Sequence, residues 1–310
     1  MTTAPTPHTP RPTPRREGQT YAGASRFTAY VNFVKLPHTV FALPFALVGV
    51  TLASWRAPVR LAQIGWVVLA FTAARFAAMG FNRVIDRHLD ARNPRTATRE
   101  IPAGVLSVRE AGLAIVAASI LFLLAAWRLN PLCLALAPLA LAWVLFYSYT
   151  KRFTRLAHLV LGLGLGIAPV GGYLAVTGQW SDPWWLLPAL AAAVMTWTGG
   201  FDILYALQDV AFDRANRLHS IPAAIGERRA LAVARVLHAV TVACLALVGV
   251  AVGGGWLYAL GVMVAAALLV YEHSLVHPDD LSKLDAAFFT MNGVISLCFF
   301  GFVLAERLVR

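Results

Sequence analysis

The sequence predicts an all-α polytopic membrane protein with nine transmembrane helices. Of its 310 residues, 59% are hydrophobic and only 13% are charged, and the mean hydropathy is +0.66. Soluble domains carry about 25% charged residues. Most of the apolar stretches approach the roughly 20 residues that span a bilayer. They fall at residues 38–54, 61–80, 107–128, 131–148, 155–177, 184–207, 230–250, 254–272 and 285–306.

The beginning of the chain differs from the rest in composition. Residues 1–25 are rich in Pro and Thr and contain no apolar run, so we do not expect a signal peptide. A segment of this composition cannot bury enough apolar surface to fold. We therefore expect a disordered cytoplasmic tail at 1–25 and one transmembrane domain at 26–310.

The net charge of +11 raises the question of a nucleic-acid partner. Most Lys and Arg residues, however, lie before the first span or in the loops after the second, fourth and sixth spans. The positive-inside rule places the N-terminus and these loops in the cytoplasm and the C-terminus outside. We therefore expect a multi-pass protein of the cell (inner) membrane, with the lipid bilayer and no nucleic acid as partner.

Two smaller features favour helix packing over chemistry. Cys133, Cys244 and Cys298 each lie in an apolar segment without CxxC spacing, which indicates buried thiols and neither a disulfide nor a zinc site. The glycine-rich stretch 161–172 follows no predicted strand. It therefore indicates close approach of helices rather than a phosphate-binding loop.

Two acidic motifs interrupt the apolar pattern, at the ends of the second and sixth spans. Ionisable residues beside a membrane span are costly and usually bind cations or line a polar cavity. Helix positions four residues apart share one face, so each motif predicts a row of oxygen ligands that suits Mg²⁺ and a substrate phosphate. The alternative is a solvated helix extension paired with neighbouring arginines. The rows are Asn82, Asp86 and Asp90, and Asp202, Asp209 and Asp213.

The two motif regions resemble each other beyond their carboxylates. Each continues into a basic stretch and reaches Ile-Pro-Ala, at 101–103 and 221–223, before the next span begins. This indicates an internal duplication whose two copies face each other across a central cavity. Chance similarity of short strings is the alternative.

Four further polar residues allow two interpretations. Tyr147 and Lys151 lie four residues apart at the cytoplasmic end of the fourth span. They suit phosphate binding, or an interfacial tyrosine with a snorkelling lysine. Lys35 and His38, at the start of the first span, have the same two interpretations.

Three strings together indicate a family. FNRVIDRHLDARNPRTATREIPAG, YSYTK and DILYALQDVAFD resemble the UbiA superfamily of intramembrane aromatic prenyltransferases, over residues 26 to 306. The resemblance implies a UbiA-like fold of nine spans around a central cavity, with Mg²⁺ bridging both motifs to a polyprenyl diphosphate. It also implies transfer of the polyprenyl group through an allylic carbocation to an aromatic acid in respiratory quinone biosynthesis.

The resemblance also implies roles for single residues. The catalytic residues are predicted to be Asp202, Tyr205 and Lys151, with Asp202 as the candidate for the base that acts on the acceptor or for the group that orients its hydroxyl. The acceptor itself is predicted to contact Lys35, His38 and Asp202. Mg²⁺ and diphosphate are predicted to bind to Asn82, Asp86, Asp90, Asp209 and Asp213, with further diphosphate contacts from Tyr147, Lys151, Arg95 and Arg99.

The sequence leaves two other functions and the choice of acceptor open. CDP-alcohol phosphotransferases also carry an acidic row in the membrane, but with upstream residue pairs that this chain lacks. A cation- or proton-coupled transporter would place carboxylates deep within the spans, without basic partners. Within the family, the string at 35–38 departs from the Arg that hydroxybenzoate enzymes tend to carry before the Pro of the first helix. Together with QDVAFD and LHSIPA, it looks more like the branch that prenylates a dihydroxynaphthoate in the futalosine route to menaquinone.

Overall fold

The structure is a computed structural model that describes residues 21, 25–35, 39–278 and 280–310, without the side chains of 39–41. Within this range it is built from helices and turns, with no β-sheet. The predicted tail lies outside the described residues apart from Tyr21 and Ser25. Its disorder therefore stays a prediction.

The described helices are numbered in chain order. A 3₁₀ turn at Leu207–Asp209 joins the seventh to the eighth, and a π-helical turn at Ala286–Met291 precedes the last. The helices are α1 Arg26–Phe33, α2 Thr39–Ala53, α3 Leu61–Arg92, α4 Val108–Leu129, α5 Pro131–Thr150, α6 Ala157–Thr177, α7 Leu186–Ala206, α8 Val210–Ala215, α9 Ile221–Ile225, α10 Glu227–Val252, α11 Trp256–Leu275 and α12 Asn292–Val309.

Eight helices in the described part of the chain are long and apolar enough to cross a membrane, and they match the second to ninth predicted spans. The first predicted span corresponds to α2, whose 15 residues reach about 22 Å, short of the hydrocarbon core of about 30 Å. By this criterion the predicted count of nine is one too high. The physical reason is the short apolar stretch itself, because Ser54 and Arg56 follow the end of α2 at Ala53 directly.

The main hydrophobic core lies among α2, α6, α7, α10, α11 and α12. Trp197 of α7 is 1% exposed, and its ring centroid lies 4.7 Å from that of Phe45 and 4.9 Å from that of Phe201. Phe299 of α12 packs 6.2 Å from Phe45. This core fixes α7, which leads into the second acidic motif, against the C-terminal helices.

The predicted role of the glycine-rich stretch in helix packing is confirmed. Gly162 and Gly166 lie in α6, where an added Cβ would overlap the backbone carbonyls of Met195 and Ala191 in α7. Small residues at such positions let membrane helices approach closely. The close packing of α6 on α7 also brings the N-terminal end of α6 next to the second acidic motif.

The two motif regions have similar arrangements. α3 packs against α4, the helix that follows its loop, and α7 packs against α10 in the same way. Buried Arg83 of α3 forms an ion pair of 3.1 Å with Glu100 of the first loop. In the second motif region, the Leu218 backbone N–H donates to the carbonyl of Asp213 at 2.8 Å. The internal duplication stays a prediction.

Candidate active site

A polar cavity of about 200 Å³ lies between α3, α5 and α7, beneath the loops that follow the two acidic motifs. Both motifs contribute residues to its lining, and so do their predicted phosphate-binding partners. The predicted site residues that the structure brings together here are Asn82, Asp86, Asp90, Arg95, Arg99, Tyr147, Lys151, Asp202, Tyr205, Asp209 and Asp213.

The first acidic row lies on one continuous helix, since α3 runs unbroken to Arg92. The Asn82 side-chain amide donates to Asp86 Oδ2 at 3.0 Å, which links two consecutive members of the row. Arg152 donates to Asp86 Oδ1 at 2.8 Å, and Arg99 donates to Asp90 Oδ1 at 2.8 Å. Each carboxylate of this row therefore already has a cationic partner.

The second acidic row does not lie on one continuous α-helix, so that expectation is wrong. α7 ends at Ala206, and the 3₁₀ turn carries Asp209 before α8 begins. The Gln208 side-chain amide donates to the carbonyl of Tyr205 at 3.0 Å. It thereby takes an acceptor that a continuing α-helix would offer to residue 209.

Asp209 has an extensive set of donors. The Arg95 guanidinium donates to both carboxylate oxygens, at 3.0 and 2.7 Å, in the bidentate geometry that makes such pairs strong. The Asn93 side-chain amide adds a third bond at 3.1 Å. Asp213 accepts from Ser220 Oγ at 2.7 Å. Carboxylates next to arginines are what phosphate binding requires and what the transporter alternative does not predict.

Lys151 lies between the two acidic rows, at the C-terminal end of α5. Burial acts to lower the pKa of its ammonium group, but the negative charges of four aspartates outweigh burial and raise the pKa. The side chain thus stays protonated. Because its positive charge interacts with aspartates of both rows, Lys151 is placed to bind a diphosphate between them. The aspartates in question are Asp213, Asp202, Asp209 and Asp86.

Asp202 is held by a histidine from α6. His158 Nδ1 lies 2.6 Å from Asp202 Oδ2, and His158 Nε2 accepts a bond from the Ile221 backbone N–H at 3.3 Å. Since the Ile221 backbone N–H can only donate, Nε2 is the acceptor. Nδ1 therefore carries the imidazole proton and donates to Asp202. His158 is fully buried, so it fixes the orientation of a carboxylate that lines the cavity.

The two residues predicted to bind the acceptor's acid group have different outcomes. His38 lies outside the described residues. Lys35 is not part of the cavity lining; its Nζ lies 6.0 Å from the centre of the Phe289 ring. Burial, then the positive charges of Arg99, Arg83 and Arg95, lower the pKa of Lys35 to about 6. A carboxylate next to this amine would offset those charges and favour its protonated form.

Four residues of the site were not singled out from the sequence. Asn93 lies inside one of the strings that were, and Arg152 directly follows another, so their positions gave a usable signal. Ser220 precedes the repeated Ile-Pro-Ala, and its side chain caps α9. His158 had no local signal, because only the packing of α6 on α7 places it next to Asp202.

The donor set of the cavity fits Mg²⁺. The candidate ligands are all oxygen atoms, as Mg²⁺ prefers, and Asp90 Oδ2 is buried without a hydrogen-bond partner. No three His, Cys, Asp or Glu side chains in the described part of the chain converge on one point. Mg²⁺ usually takes one or two carboxylates from the protein and completes its shell with water and substrate phosphate.

An apolar cavity, also of about 200 Å³, adjoins the polar one. Tyr147 and Leu161 line both cavities, so the boundary lies at these two side chains. Beyond them the walls are formed mainly by apolar residues of α2 to α6, including Ala74, Val144 and Gly164, and Arg75 is the charged residue among them. The pair of cavities suits a ligand with a charged head and a long apolar chain.

Fold and site together define an integral membrane protein with a polar cavity next to an apolar one. The chain belongs to the UbiA prenyltransferase family, whose model matches residues 42–294.

Named relatives agree with this membership. The 4-hydroxybenzoate octaprenyltransferase of Citrobacter koseri is 31% identical over 259 residues, which is 82% of this chain and 87% of the relative. The enzyme of the same name from Salmonella newport is 30% identical over 259 residues, with the same coverage. This chain is therefore an enzyme of the prenyltransferase type.

Solved structures share the fold. A UbiA homolog from Aeropyrum pernix K1, in its apo form, is 33% identical with a TM-score of 0.79, covering 87% of this chain and 98% of the other. A UbiA homolog from Archaeoglobus fulgidus, bound to DMAPP and Mg²⁺, has a TM-score of 0.68 at 20% identity, covering 91% of this chain and 100% of the other. The predicted all-helical UbiA-like class is confirmed.

Proposed function

We propose that this protein transfers the polyprenyl group of a polyprenyl diphosphate to an aromatic acid, a hydroxybenzoate or a dihydroxynaphthoate, in an Mg²⁺-dependent reaction. The observation that carries the proposal is the junction of the two cavities. The polar one is lined by both acidic motifs and three basic side chains, Arg95, Arg99 and Lys151, and it adjoins the apolar one at Tyr147.

The protein's own residues account for most of the chemistry. Arg95, Arg99 and Lys151 stabilise the diphosphate as it leaves with the bonding electrons, since donors fixed in a buried site need no reorganisation. Mg²⁺, held by the two acidic rows, would supply further charge stabilisation. The apolar cavity holds the isoprenoid and excludes the water that would quench the allylic cation.

The acceptor then reacts at the junction. An electron-rich ring carbon forms a bond with the allylic carbon, and the ring loses a proton. Asp202, oriented by His158, is placed to take the phenolic proton and so raise the nucleophilicity of the ring. The proton that the ring carbon loses restores the phenol, so that one proton leaves in total, the one taken by Asp202. Lys35 is the candidate partner for the acceptor's carboxylate.

The test of this function is a product assay. Purified protein receives one polyprenyl diphosphate with Mg²⁺ and either 4-hydroxybenzoate or 1,4-dihydroxy-6-naphthoate, and mass spectrometry identifies the products. We expect one of the two acids to gain the mass of the polyprenyl group. If neither acid is prenylated while the protein stays folded, the proposal is wrong.

Metal dependence is the first prediction. Excess EDTA is expected to stop turnover, and excess Mg²⁺ is expected to restore it, because the carboxylate rows alone repel a diphosphate. The measurement is product formation before chelation, after chelation and after the addition of metal. Undiminished turnover in excess EDTA would contradict an Mg²⁺ site.

Orientation is the second prediction. We propose that both acidic motifs face the cytoplasm of a cell (inner) membrane, since the basic loops lie on their side. Single cysteines at Ala97 and Ala215, in a variant without the three native cysteines, should escape an impermeant thiol reagent in intact cells. They should react once the membrane is opened. Labelling of either position from outside would overturn this topology.

A further inference from the structure

The π-helical turn at Ala286–Met291 lies where the last membrane helix meets α7. Such a turn inserts one residue and rotates the side chains on one side of it by about 100° relative to an unbroken α-helix. The turn is fixed by Asn292, which is 1% exposed and whose side-chain amide donates to the carbonyl of Phe288 at 2.8 Å. The direction in which Phe288 points therefore depends on this turn.

Phe288 packs on an aromatic residue of the candidate active site. Its ring centroid lies 4.1 Å from that of Tyr205, with 30° between the planes. Phe289 lies at 4.8 Å from Phe288 and 6.3 Å from Tyr205, both in edge-on geometry. Phe201 of α7 packs 5.4 Å from Phe288. The Tyr205 ring thus has little freedom to rotate.

Tyr205 in turn holds Arg95. Arg95 Nη1 donates to the Tyr205 hydroxyl at 3.2 Å, and the guanidinium carbon lies 5.3 Å from the ring centroid. The other nitrogens of the same guanidinium donate to Asp209. A series of direct contacts therefore connects the π-helical turn, through Phe288 and Tyr205, to Arg95 in the polar cavity.

We infer that the π-helical turn positions Arg95 for the diphosphate through Phe288 and Tyr205. Tyr205 is then a positioning residue, since its hydroxyl accepts from Arg95 and its ring packs on Phe288. An arginine side chain loses considerable rotamer freedom when it is ordered, and an arginine held in advance binds a phosphate more tightly. The inference rests on the proposed function, because it takes the diphosphate to be the ligand of Arg95.

A double-mutant cycle on diphosphate binding tests the inference. The probe is geranyl S-thiolodiphosphate with Mg²⁺, measured by calorimetry on purified full-length protein. Phe288→Ala is expected to weaken binding about three- to tenfold, the range of an aromatic contact. Arg95→Ala is expected to weaken it on the order of a hundredfold. The double variant should bind like Arg95→Ala alone, because Phe288 acts only through Arg95.

Two controls separate positioning from general damage. Phe302 lies in α12, the helix that follows the π-helical turn, and packs on Gly261. Phe302→Ala is expected to leave binding unchanged. Tyr205→Phe keeps the ring and loses only the hydroxyl that accepts from Arg95. It is expected to weaken binding less than Arg95→Ala, and it serves as the test if Phe288→Ala does not fold.

The possible results are distinct. If Phe288→Ala binds the probe as the wild type does, or weakens Arg95→Ala by the same factor as it weakens the wild type, the inference is overturned. Unchanged binding by Tyr205→Phe would also count against it. If the wild-type protein does not bind the probe at all, the proposed function fails, and the inference fails with it.

Discussion

Asp86→Ala and Asp209→Ala are each expected to reduce product formation on the order of a thousandfold or more. The two residues belong to different acidic rows, and each faces the same polar cavity. Loss of either removes a metal ligand and leaves diphosphate charge without compensation in a site that excludes water, where electrostatic effects are large.

A control on the same side of the membrane separates this effect from a loss of charge in general. Glu227 is an exposed carboxylate in the first turn of α10, and Glu227→Ala is expected to keep full activity. Turnover is measured in detergent together with the melting temperature of each variant. Full activity in either aspartate variant would refute the two-row metal site.

Asp202→Asn is expected to lower turnover about a hundredfold, the range of a general base, and to leave diphosphate binding intact. Asp202 precedes Asp209 by seven residues. Its carboxylate is held by His158 at 2.6 Å, whereas arginines donate to Asp86, Asp90 and Asp209. The asparagine keeps the size of the side chain but cannot take a proton.

Two further expected results make the Asp202 prediction specific. A more acidic phenol should partly rescue Asp202→Asn, because it needs less help from a base. His158→Ala should resemble Asp202→Asn, with lower turnover and preserved binding of geranyl S-thiolodiphosphate. If Asp202→Asn loses probe binding as severely as Asp209→Asn does, Asp202 belongs to the metal site and its proposed role is wrong.

The sequence was most informative where a single helix determines how the residues are placed. The spacing of Asn82, Asp86 and Asp90 predicts one face of a helix, and α3 is a single helix there. The hydropathy pattern likewise located the eight long apolar helices that the described residues contain. Both predictions depend on local periodicity, which the sequence contains directly.

The sequence was least informative where side-chain contacts decide the local structure. Periodicity predicted one helix through Asp213, but Gln208 takes a backbone acceptor and a 3₁₀ turn follows. His158 lies far from Asp202 in sequence, and only the packing of α6 on α7 brings them together. The π-helical turn before α12 has no periodic signature, because it adds a single residue to an otherwise regular apolar pattern.

Metal-dependent binding of geranyl S-thiolodiphosphate to the wild-type protein and to the Asp86→Asn and Asp209→Asn variants tests the central claim most directly. It reports on the diphosphate site without requiring the acceptor or the chemical step. The two-row site predicts tight binding to the wild type with Mg²⁺, much weaker binding in EDTA, and comparable losses in both variants. Binding that is equally tight without metal, or that survives in one of the two variants, would contradict it.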